Sequence, residues 1–194
     1  MKPLAAAFRA SLIVLAGLAA AACFASVEPL EPGRETASPI PSGLYARWDE
    51  AEDSQGPEPA EPDWTGRIER VDGQIFAETD PDFPYADARY FRLARDIWAV
   101  RHPPGAEGFA DDAYMYTLIR RDGRARFLTE IPICDMIEPE VRAEIGLALD
   151  EEDVCRAETD EQLRAGLLAY IEASDARREE EGRLAGFSLL QRTR

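Results

Sequence analysis

Hydrophobic and polar positions alternate most regularly between Tyr114 and Cys134. Tyr114, Tyr116 and Leu118 interleave with Met115, Thr117 and Ile119. Further on, Phe127, Thr129 and Ile131 interleave with Arg126, Leu128 and Glu130. A period of two is the mark of a strand, so the stretch predicts a hairpin. Asp122-Gly123 supplies its turn, because Gly, and Asp to a lesser degree, tolerates positive φ. A hairpin of the same design is predicted upstream, from Thr65 to Val71 and Gln74 to Glu78 around Asp72-Gly73. Thr79 to Ala86 reads as a loop, with two prolines as breakers. Residues 89–101 fit two templates. Tyr90, Leu93, Ile97 and Trp98 fall on a helical stripe, whereas Tyr90–Ala94 and Ile97–Arg101 fit two strands around Arg95-Asp96. The concentration of Tyr, Phe, Ile, Trp and Val favours strands. His102-Pro103-Pro104-Gly105 ends the element, and Ala106 to Asp112 leads as a loop into the central hairpin.

Beyond Cys134 the pattern weakens. Asp135 to Glu144 reads as an irregular or short helical connection, and Ile145–Leu149 with Val154–Arg156 as a short strand pair turning at Asp150 to Asp153. Thr159 then predicts a helix start, with Gln162 at capping-box spacing. Leu163, Leu167, Tyr170 and Ile171 share one face of this helix, with Leu168 beside them. Ser174 to Arg183 is almost wholly charged or small, and Leu184 to Leu190 suits a last strand or a short helix. The predicted fold is α+β: an antiparallel, hairpin-rich sheet of about seven to nine strands, a meander or a partly closed barrel, with a C-terminal amphipathic helix across one face or edge.

The N-terminal third is patterned differently. Met1 to Ala22 carries Lys2 and Arg9 ahead of a short apolar run that ends in small residues, the layout of an export signal. The run is too short and too Ala-rich for a membrane span of about 20 apolar residues. Ala20-Ala21-Ala22-Cys23 resembles the lipobox of bacterial lipoproteins, with Ala20 where that class most often has Leu. The resemblance covers this segment alone. It implies cleavage after Ala22, lipidation of Cys23 with a palmitate-type acyl group, and, with Phe24 next, the outer membrane facing the periplasm. An ordinary signal peptide cut after Ala22 or Ala25 is the alternative, giving a periplasmic or secreted protein. Ser26 to Asp63 is rich in proline and acid and reads as an extended tether. Gly43 to Trp48 is its one apolar patch, a short strand or a surface anchor. The expected organisation is thus a signal over 1–22, a lipidated tether over 23–63 and one β-rich domain over 64–194.

Charge and cysteine usage narrow the class further. The net charge is -16, and loss of Lys2 and Arg9 with the signal takes it to -18. Such a field repels phosphate backbones and argues against nucleic acid. Of three cysteines, Cys23 carries lipid on the lipobox resemblance. Cys134 and Cys155 remain as a pair that closes in an oxidising compartment, or as two buried thiols.

Candidate chemistry is sparse. His102 is the only histidine and precedes two prolines, which suits a loop residue better than a general base. One histidine and two distant cysteines do not make a zinc set. Asp80 and Asp82, Asp111 and Asp112, and Asp150 to Asp153 lack the spaced loop pattern of a calcium site and read as solvated acids. A carboxylate pair for hydrolysis is not distinguishable among 38 acids. Tyr90, Phe91, Trp98, Tyr114, Tyr116 and Phe127 read as core, or else as the lining of a pocket in a curved sheet. The expectation is an exported, membrane-tethered envelope protein that binds or scaffolds another component, with no cofactor and no catalysis. A carrier of a small apolar ligand and a carboxylate hydrolase are the alternatives.

Overall fold

A computed structural model describes residues 24–48, 61–77, 87–106, 109, 111–150, 154–181 and 187–193. Twelve strands form one sheet: β1 (Phe24–Ser26), β2 (Arg34–Thr36), β3 (Gly43–Trp48), β4 (Trp64–Val71), β5 (Gln74–Ala77), β6 (Arg89–Ala94), β7 (Ile97–His102), β8 (Tyr114–Arg121), β9 (Arg126–Glu130), β10 (Ala148–Leu149), β11 (Cys155–Arg156) and β12 (Phe187–Arg192). Two helices accompany them, α1 (Pro139–Ile145) and α2 (Asp160–Glu181), with a 3-10 turn at Cys134–Met136.

The central hairpin forms as its alternation requires, and β8 becomes the hub. One edge of β8 pairs with β7 from Met115 to Arg120. Its other edge is shared: β1 takes Tyr114 to Tyr116, and β9 takes Leu118 to Arg121. The main path runs β2-β6-β7-β8-β9-β12-β3-β4-β5, antiparallel throughout. A branch leaves β8 through β1, which pairs in parallel with β11, and β11 pairs with β10. The sheet is not closed: no ladder joins β5 to β6 or β2 among the described residues. It curls nonetheless. Ser38, two residues past β2, donates its N–H to Gly73 in the β4–β5 turn at 2.8 Å, so opposite edges meet at that end.

Curling gives two apolar layers. Tyr45, Ile68, Ile75, Tyr90, Val100, Ile119, Phe127 and Leu190, one from each of eight strands, pack on the inner face with Ile40. On the outer face Phe24, Phe91, Leu93, Ala99, Tyr116 and Leu118 meet Leu163, Leu167, Tyr170 and Ile171 of α2. This is the helix stripe that the sequence predicts, and Leu168 lies at its exposed margin. Thr159 caps the helix, accepting from the Gln162 N–H at 3.2 Å. Gln162 returns to the N–H of Glu158 rather than to the cap residue itself.

Strands at 89–94 and 97–102 resolve the ambiguous segment. In the upstream hairpin Asp72 and Gly73 both take positive φ, 51° and 88°, the requirement of a tight primed turn. The central turn is looser than two residues: Asp122 to Ala125 separate the strands, closed by Asp122 N–H to Arg126 O at 2.9 Å. The C-terminal segment is a strand, β12, inserted between β9 and β3.

The tether requires correction. Residues 24–48 are part of the fold and supply β1, β2 and β3, so the fold does not start near Trp64 but includes this stretch ahead of it. Proline carbonyls explain how a Pro-rich stretch is held. Arg101 donates to Pro29 O and Leu30 O at 2.9 and 3.1 Å, Tyr116 to Leu30 O at 3.1 Å, and Arg164 to Pro32 O at 2.8 Å. Donors from the sheet and α2 thus replace the ladder that proline cannot make. Leu30, Ile40 and Tyr45 add apolar burial.

Candidate functional site

The densest chemistry lies under the C-terminal half of α2. Alternation along β8 puts Arg120 on the same face as Tyr114, Tyr116 and Leu118, toward the helix. Across the ladder Leu118 pairs with Glu130, so both charged side chains enter the outer layer. On α2 the stripe of Leu163 and Leu167 continues through Tyr170, Ser174 and Arg178, turning from apolar to polar. The two elements therefore bring complementary charges together.

Glu130 is the centre of this network. Its side chain is fully shielded from solvent. Arg120 Nε donates to Oε1 at 2.6 Å. Oε2 accepts from the Tyr170 hydroxyl at 3.1 Å and from Arg178 at 3.2 Å. Both guanidiniums also donate to Asp175 Oδ1, at 2.7 and 3.0 Å. Arg178 reaches Ser174 Oγ at 2.9 Å. Two cations and two anions balance, as burial of charge demands. Burial raises the Tyr170 phenol far above its ordinary pKa, and the Glu130 carboxylate pushes it the same way. Burial, and then the charge of Arg120, lower Arg178, while Glu130 and Asp175 oppose that change. The phenol stays protonated as a donor. Each Glu130 oxygen is held by a donor from within the domain. The arrangement clamps the helix to the sheet.

His102 is not a loop residue. It ends β7 on the inner face, fully buried, with Nε2 bonded to Thr117 Oγ1 at 2.8 Å. Its ring stacks on Phe109 with centroids 4.4 Å apart. Thr117 and His102 face each other because Met115 pairs with His102 and Thr117 with Val100.

The six aromatics do not line one pocket. Tyr90, Trp98 and Phe127 face inward and Phe91, Tyr114 and Tyr116 outward, as their registers require. Trp98 lies between Arg121 and Arg92, at 5.3 and 5.8 Å from its ring centroid, and Arg101 sits over Phe91 and Tyr114. Cys134 and Cys155 form a disulfide with Cα atoms 5.6 Å apart, tying β11 to the end of the β9 connection. Asp111 and Asp112 are exposed, whereas Asp150 pairs with Arg156 at 2.6 Å and accepts from the Val154 N–H. Cys23, Asp80, Asp82 and residues 151–153 lie outside the described residues. Among the described residues no group of three or more His, Cys, Asp or Glu side chains is placed to hold a metal ion.

Sequence reasoning missed the network around Glu130. The available signal was charge at positions whose strand neighbours are apolar, Arg120 after Leu118 and Glu130 after Leu128. A stripe of Tyr170, Ser174 and Arg178 at helical spacing was its counterpart. No family model matches this chain, and the comparisons with curated proteins and with solved structures gave no match.

Proposed function

We propose that the chain is an exported acidic envelope lipoprotein, anchored through acyl chains on Cys23, whose β-rich domain binds or scaffolds another envelope component without catalysis. The observation that carries this reading is where the reactive groups point. Glu130, Arg120, Tyr170 and Arg178 are engaged with one another, and His102 with Thr117 and Phe109, inside packed layers rather than around a cleft. The disulfide suits an oxidising compartment. Ile131 and Ile133 stand exposed where the chain leaves β9, apolar side chains of the kind a partner covers.

Fractionation with metabolic labelling by a clickable fatty acid tests the anchor. Label on the wild-type protein in the membrane fraction, and none on Cys23→Ser, is expected. An unlabelled, freely soluble wild-type protein sinks the anchor. A photo-crosslinking side chain at position 133 tests the module, with capture of one reproducible envelope component expected. Co-purification of a stoichiometric apolar small molecule, with no crosslink, would move the reading to a carrier.

A further inference from the structure

We propose that the end of the curled sheet where the β4–β5, β6–β7 and β8–β9 turns lie is a binding site for a compact, multiply phosphorylated molecule, held by Arg34, Arg70, Arg92, Arg121 and Arg192. The inference goes beyond the reading above and depends neither on export nor on the anchor.

Side chains two apart on a strand share a face. On four strands the inner apolar layer is followed, two positions toward this end, by an arginine: Tyr90 by Arg92 on β6, Ile119 by Arg121 on β8, Leu190 by Arg192 on β12 and Ile68 by Arg70 on β4. These are alternate strands of the main path. Arg34 of β2 joins them, because it lies directly opposite Arg92. The inner layer is thus rimmed by five cations, all exposed.

Neutral groups hold these guanidiniums in place. Arg121 and Arg92 lie over the Trp98 ring, at 5.3 and 5.8 Å from its centroid. Arg92 also donates to Ala94 O and Arg95 O at 3.2 and 2.6 Å, Arg192 to Ser42 O at 3.0 Å and Arg70 to Ser38 O at 3.2 Å. Gly43 lets Arg192 lie across it, since a Cβ there would fall 2.5 Å from Arg192 Nε. Rings and carbonyls orient a guanidinium without neutralising it, and its five N–H donors leave several to spare. Acids at this end are engaged elsewhere: Asp96 with Arg95, Asp122 with Arg126 and Glu35 with Arg89. Among the described residues no ion pair joins any of the five arginines to an acid. Like charges directly opposite in a sheet destabilise it. Arg34 against Arg92 is therefore a cost left standing in a chain whose net charge is -16, with acids enough to remove it. A bound anion removes it.

Guanidinium forks match phosphate oxygens two at a time. Neighbouring strands lie about 4.8 Å apart, so arginines on alternate strands stand about 10 Å apart along the rim. A single phosphate engages one or two of them, whereas several phosphates clustered on one small body engage the set. An extended polyanion fits poorly, because beyond the rim it meets the field of an acidic protein. Within the screening length of about 8–10 Å the arginines dominate.

Calorimetric titration of the purified protein with inositol hexakisphosphate, as the probe, tests the site. One molecule bound per chain at micromolar concentration, more weakly at higher salt, is expected. Arg34→Glu should weaken binding at least tenfold while raising the melting temperature of the ligand-free protein by about 1–3 °C, because it turns a like-charge pair into an opposite one. Arg121→Gln should weaken binding to a similar degree. Arg95→Gln, at a side chain 94% exposed outside the rim, should change it less than threefold. No binding at millimolar probe overturns the proposal, as does an equal loss from Arg95→Gln and Arg34→Glu, which would mark diffuse charge rather than a site. Citrate binding as tightly as the hexakisphosphate overturns the phosphate class. Tight binding to phosphatidylglycerol vesicles that the free hexakisphosphate does not displace overturns the compact ligand in favour of a membrane surface.

Discussion

Replacing Glu130 by Gln keeps shape and volume and removes one charge from the clamp beneath α2. The carboxylate accepts from Arg120, Tyr170 and Arg178, two of these contacts being ion pairs. The amide keeps one acceptor and turns an NH2 group toward donors. Arg120 and Arg178 then face each other across Asp175, which is 48% exposed and pairs with both. A charge-assisted bond contributes about 1.5–3 kcal/mol, and breaking a buried pair from one side costs about 3–5 kcal/mol. A loss of about 4 kcal/mol is therefore expected, against a total of about 5–15 kcal/mol. Urea unfolding followed by tryptophan fluorescence measures it, at low salt and at high salt. Salt should change the loss little, since buried pairs are weakly screened. A double-mutant cycle with Arg120→Gln should be strongly non-additive, the pair costing less than the two singles together. A loss below about 1 kcal/mol, or additive singles, would refute the clamp.

Three further outcomes are expected. Reduction of Cys134–Cys155, 21 positions apart, should cost about 3 kcal/mol by loop-closure entropy and expose β10 and β11 to hydrogen exchange before the central hairpin. Stability should hold to about pH 10 and fall above it, because Tyr45, Tyr116 and Tyr170 have raised pKa values and keep protons that the unfolded chain releases. Each contributes a slope of about 1.4 kcal/mol per pH unit, and Lys2 is the only lysine that could confuse the window. Gly166→Ala should destabilise by about 1–3 kcal/mol despite better helix propensity, since its Cβ would enter the space of Phe24 and Leu147; a neutral result in thermal melts would show that α2 can shift outward.

What was legible in the sequence follows from which interactions are local. The two hairpins were, because a period of two and an Asp-Gly turn are properties of adjacent residues. The helix stripe from Leu163 to Ile171 was, for the same reason at period 3.6. The disulfide was reachable by elimination. β1 and β2 were not: three residues each, they are strands only because β8, β11 and β6, all distant in the chain, offer them edges. Pro29 and Pro32 signal disorder locally, and nothing nearby reveals that Arg101 and Arg164 hold their carbonyls. The partnership of Arg120 and Glu130 with α2 was hidden likewise, since a charge in a strand reads as solvent-facing until a helix is known to cover it. Ser174 and Arg178 read as part of a charged helix end, and together with Tyr170 they are its fastening.

The position of β12 governs the order in which the molecule can be assembled. It is the last of the described strands and lies in the middle of the main path, between β9 and β3. Among the described residues β12 carries the ladders that link β3, β4 and β5 to the strands around β8. The contact between Arg192 and Tyr45 spans nearly the whole folded chain. Loops of that length close late and slowly. A chain that emerges from its N-terminus cannot complete this sheet until residues 187–192 are free to pair on both of their edges.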